Sequence, residues 1–73
     1  MEKQITITVK SESNKNATEN LIDYLSDCGY SSYTKKGEQN VLLAFCDNNR
    51  IDVLKDCVLD GSELFNFDYS YSN

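Results

Sequence analysis

Apolar residues recur along this chain with two different periods, and the switch between them predicts six elements. From Gln4 to Lys10, Ile5, Ile7 and Val9 alternate with Thr6 and Thr8, the period of a strand with one buried face. From Ala17 to Cys28 the period lengthens. Ala17, Leu21, Tyr24, Leu25 and Cys28 fall on one stripe of a helix at about 100° per residue. Ser13 and Asn16 are N-cap candidates in the polar stretch before it, and Gly29 stands where a helix ends in a left-handed residue. Tyr30 to Lys35 reads as a short strand. The turn Lys36-Gly37-Glu38 then returns the chain into Val41-Leu42-Leu43-Ala44-Phe45-Cys46, giving a hairpin. That is the only run of six consecutive apolar residues, the mark of a strand buried on both faces.

Asp47, Asn48 and Asn49 offer N-caps for a second helix, expected from about Asn49 to Leu59 with Ile51, Leu54, Cys57 and Val58 on its stripe. Asp60-Gly61 is expected to close it. The last element alternates again, with Phe65, Phe67, Tyr69 and Tyr71 on one side and Asn66, Asp68 and Ser70 on the other. The order strand, helix, strand, strand, helix, strand predicts an α+β fold, the ferredoxin-like βαββαβ sandwich. In it a four-stranded antiparallel sheet carries two helices on one face and the first and third strands are central. Residues 1–73 are expected to form a single domain. In the central run both alternating sets are apolar, Val41, Leu43 and Phe45 against Leu42, Ala44 and Cys46. One set must therefore face away from the helices, onto a sheet face otherwise lined by Thr6, Thr8 and the polar positions of the last strand.

Charge narrows the class of partner. Net charge is −5. Residues 1–46 hold six acids and five bases, and residues 47–73 hold six acids and two bases. Such a balance argues against direct nucleic-acid binding, which draws its affinity from Lys and Arg, and suits a basic protein partner. No run approaches membrane-spanning length, so no membrane partner is expected. The N-terminus has no apolar signal core. Cys28, Cys46 and Cys57 are widely spaced at apolar positions, which reads as buried reduced thiols and a cytoplasmic setting.

Candidate chemistry is sparse. There is no histidine, which removes histidine-based acid–base and nucleophile activation. No Gly-rich phosphate loop is present. The cysteines lack the paired spacing of zinc sites, and the aspartates lack a calcium loop, so neither a metal nor another cofactor is expected. The small families sharing this element order each need something missing here. Heavy-metal-binding domains need a cysteine pair after the first strand, acylphosphatases an arginine loop, and RNA-recognition modules basic and aromatic residues on the central strands. The chain reads as a non-enzyme.

The most organised chemical feature is acidic. Glu19, Asp23 and Asp27 recur every four residues on the first helix, and Asp52, Asp56 and Asp60 do so on the second. Carboxylates spaced i, i+4 repel one another mildly, and the helix dipole disfavours acids near a C-terminus, where Asp27 and Asp60 are expected. Side by side on two packed helices, the rows predict one acidic surface. The function expected from it is docking on a cationic, nucleic-acid-binding surface of a partner, an inhibitory mode used by small acidic proteins of phages and mobile elements. The alternative is a small regulatory or assembly domain that homodimerises through its sheet, with Leu42 or Leu43 in the interface.

Overall fold

The computed structural model describes residues 2–10 and 16–72. Its elements are β1 (Glu2–Lys10), α1 (Ala17–Asp27), β2 (Ser31–Lys35), β3 (Glu38–Asp47), a 3-10 turn (Asn48–Arg50), α2 (Ile51–Phe65) and β4 (Asp68–Ser72). The strands form one antiparallel sheet in the order β2-β3-β1-β4. The apolar run thus lies on a central strand, in the α+β arrangement of the ferredoxin-like sandwich. Ile7 pairs with Leu42 and Ile5 with Ala44 across β1 and β3. Ile7, Val9, Leu42, Ala44 and Cys46 meet Leu21, Leu25, Leu54 and Val58 in one core, which puts both helices on the same face. Ile7, Leu21, Leu25, Leu42, Leu54 and Val58 are the largest fully buried side chains, each contributing about 1.5–3 kcal/mol of burial.

The end of α1 follows from Gly29. With φ of +92°, it adopts a conformation that costs a residue with a Cβ about 1–2 kcal/mol. The Gly29 N–H then donates to the Ser26 carbonyl at 3.0 Å and the Tyr30 N–H to the Leu25 carbonyl at 2.9 Å. This Schellman arrangement satisfies two helix-end carbonyls and places Tyr30 over Leu25, both buried. At the other end the Asn16 carbonyl accepts from the Asn20 N–H at 2.8 Å. Ser13, the other N-cap candidate, lies outside the described residues.

The second helix is longer than its sequence implies. It continues through Gly61 to Phe65, and the residue that turns left-handed is Asn66, with φ of 57°. The Phe67 N–H then donates to the Ser62 carbonyl at 3.0 Å, the bond that Gly29 organises in α1. Gly61 serves packing instead of termination. A Cβ there would stand 3.1 Å from Leu21 Cδ1 and 3.4 Å from Tyr24 Cδ2, so its absence lets α1 and α2 approach closely. The buried Ser62 hydroxyl donates to the Leu59 carbonyl at 2.7 Å. The last strand is correspondingly shorter. Phe65 belongs to α2 and meets Tyr24 edge to face at 6.3 Å, Phe67 is buried in the connection, and only Tyr69 and Tyr71 of the expected aromatic face lie on β4.

Candidate partner-binding faces

All six carboxylates of the two acidic rows are exposed on the helix layer. The helices run antiparallel, because they follow the antiparallel central strands β1 and β3 and pack on one face of the sheet, and Tyr24 of α1 meets Gly61 and Phe65 of α2. This register sets Asp23 and Asp27 on either side of the level of Asp60. Burial pushes the Tyr24 phenol pKa up, and the Asp60 charge on the neighbouring helix adds to it. Asp56 acts similarly on the Tyr71 phenol of β4, whose pKa is raised by burial first and then by Tyr69. Glu19 and Asp52 sit in the first turns of their helices, at opposite ends of the pair.

These positions divide the acids by cause. In a first turn a carboxylate is favoured by the helix dipole, so Glu19 and Asp52 have a local reason to be acidic. Asp27 is the last residue of α1 and is opposed by the dipole as expected. Asp60 is not. Because α2 runs on to Phe65, Asp60 lies more than a turn inside the helix, where the dipole term fades. Asp23, Asp27, Asp56 and Asp60 thus gain nothing from helix ends.

Among the described residues, no cation forms an ion pair with them. The two bases of the C-terminal third lie over aromatic rings, Arg50 at 5.3 Å from the Tyr30 ring centroid and Lys55 Nζ at 5.2 Å from that of Tyr71. Among the described residues, the ion pair formed is Lys35 Nζ to Glu38 Oε2 at 3.2 Å in the hairpin, which involves neither acidic row. A feature the acidic pattern misses is apolar. Val53 is 50% exposed, Leu64 65% and Leu59 46%, and they interleave with the acids of α2. Val53 and Leu59 fall off the buried stripe and could have been read from the helical period; Leu64 could not while the helix was ended at Leu59.

The opposite face of the sheet carries the second candidate. Leu42, Ala44 and Cys46 point into the core, so Val41, Leu43 and Phe45 lie on the open side, opposite Thr8, Thr6 and Gln4 of β1. Val41 is buried and Leu43 and Phe45 are half-buried. Tyr33 of β2 is 53% exposed and stacks on Phe45, with ring centroids 5.5 Å apart and planes 27° from parallel. Leu42, fully buried against the helices, cannot belong to an interface on this side; Leu43 can.

No helix among the described residues is long and apolar enough to cross a membrane. No protein-family model, curated protein or solved structure matches this chain, so both faces are interpreted from their own chemistry.

Proposed function

We propose that this chain is a non-enzymatic, acidic interaction protein that docks its helical face on a cationic surface of a basic protein partner. A nucleic-acid-processing enzyme is the partner class whose surface chemistry fits best. The observation that carries the reading is the set of exposed carboxylates Asp23, Asp27, Asp56 and Asp60, flanked by Glu19 and Asp52, with Arg50 and Lys55 held over aromatic rings. Desolvating such a set is favourable only against positive charge. Val53, Leu59 and Leu64 would supply the apolar contacts that charge alone lacks.

The test is capture from a bacterial lysate by the immobilised chain. The expected partner is a nucleic-acid-binding protein that is released as salt rises and displaced by double-stranded DNA. It is lost from the Asp52, Asp56 and Asp60→Lys variant. If that variant retains the partner's affinity and salt dependence, the acidic-docking reading is wrong.

The stacked Tyr33 and Phe45 beside Leu43 favour a second reading, homodimerisation through the open sheet face. Leu43→Lys should then convert a dimer to a folded monomer. A wild-type chain that sediments as a monomer at every working concentration removes this alternative.

A further inference from the structure

Cys28 and Cys57 are 29 residues apart in sequence but adjacent in the helix pair. Tyr24 of α1 lies against Gly61 of α2. Moving four residues forward on α1 and four back on α2 advances both antiparallel helices by one turn in the same direction, from that contact to Cys28 and Cys57. That register brings the two thiols to the same level of the helix pair, and burial together with the neighbouring Cys28 thiol pushes the Cys57 pKa up. Gly61 keeps the backbones close one turn away, as a bridge between facing helices requires. Both cysteines are half-buried at the margin of the core, whereas Cys46 is buried within it.

We propose that Cys28 and Cys57 form an intramolecular dithiol centre that a small-molecule disulfide oxidises to a cystine bridge, stapling α1 to α2.

The exchange has two steps. The Cys28 sulfur, after its proton passes to solvent, attacks one sulfur of the external disulfide. An S–S bond breaks, a mixed disulfide forms at Cys28, and one external thiolate leaves and is protonated. The Cys57 sulfur then loses its proton and attacks Cys28 Sγ, releasing the second external thiol. Two protein thiols have lost two electrons and two protons, and one external disulfide has become two thiols. The same balance holds with the two cysteines exchanged, since the thiolate of either is the attacking species. The centre stands apart from the acidic-docking reading and does not require it.

The native, fully reduced chain is incubated with glutathione disulfide, quenched in acid, blocked with N-ethylmaleimide and analysed by intact mass and peptide mapping. The expected product has lost two hydrogens, contains a Cys28–Cys57 peptide, and carries one maleimide on Cys46. Dithiothreitol returns it to three free thiols. Cys46→Ser leaves the bridge in place, while Cys57→Ser stops at the glutathione adduct of Cys28. A wild-type product that retains glutathione without a linked peptide, or that gives all three cysteine pairings indiscriminately, overturns the proposal.

Discussion

Gly61 brings the backbone of α2 to the side chain of Leu21 on α1, so closely that a methyl group added there would stand 3.1 Å from Leu21 Cδ1. Two effects oppose each other in Gly61→Ala. Helix propensity favours alanine by about 1 kcal/mol, while overpacking against a fully buried leucine costs about 1–3 kcal/mol. The close approach wins. Gly61→Ala should lose roughly 1 kcal/mol in urea unfolding with an unchanged m-value, and Gly61→Ile considerably more. A more stable Gly61→Ala would mean that Leu21 can give way and that the helix contact is loose.

That same glycine explains where the sequence misleads. After Asp60 it has the look of a helix stop, and Phe65, Phe67, Tyr69 and Tyr71 then offer a clean strand period. Yet Leu54, Val58, Ser62 and Phe65 also continue a helical stripe, and the packing of Gly61 on Leu21 and Tyr24 decides between the two periods. Asn66 could be recognised as the real stop only once the helix was known to reach it. The first helix was legible because Gly29 has open space around its Cβ position and serves termination alone. The central place of β3 was legible because no other run is apolar on both alternating sets. Exposure of the six carboxylates followed from helical angle. The pairing of Cys28 with Cys57 did not, since it depends on the register between two helices.

Burial of a hydroxyl without a partner makes Tyr30 a second test. Its ring is buried beneath Arg50, and its hydroxyl has no hydrogen-bond partner among the described residues. An unsatisfied buried hydroxyl costs about 1–3 kcal/mol. Tyr30→Phe keeps the ring for Leu25 and Arg50 while removing the orphan oxygen. Stability should rise by roughly 1 kcal/mol. Thermal unfolding checks it, and a clear loss would reveal a partner for that hydroxyl.

Alkaline pH should weaken the fold, and the thiol of Cys57 sets the window. Burial and its contact with Cys28 raise the folded pKa from 9.0 to about 11. Below pH 9 the thiol is protonated in both folded and unfolded chains, and its contribution is fully present. From 9 to about 11 the unfolded chain releases the proton while the folded chain retains it, so stability falls as pH rises. Burial of Cys46, Tyr24 and Tyr71 acts in the same direction. The denaturant midpoint should hold steady from neutral pH to about 9 and then decline, with a shallower decline in Cys57→Ala. Identical slopes in the two proteins would remove Cys57 as a cause.

Asp27 offers the sharpest separation of stability from binding. It ends α1, where the dipole makes a negative charge unfavourable and a positive one favourable by about 0.3–1 kcal/mol. It also lies four residues from Asp23, with which it repels. Asp27→Lys removes both penalties, so the variant should be more stable by roughly 0.5–1 kcal/mol, most clearly at low salt. If the acidic face exists only to keep the domain dissolved, that gain carries no penalty in any interaction. If the face docks on a cationic partner, the same variant should bind more weakly and with a smaller salt dependence. Measuring unfolding and partner affinity on this one protein therefore distinguishes the two. Higher stability with weaker binding identifies Asp27 as a residue retained for its contact, and higher stability with unchanged binding takes Asp27 out of the interface.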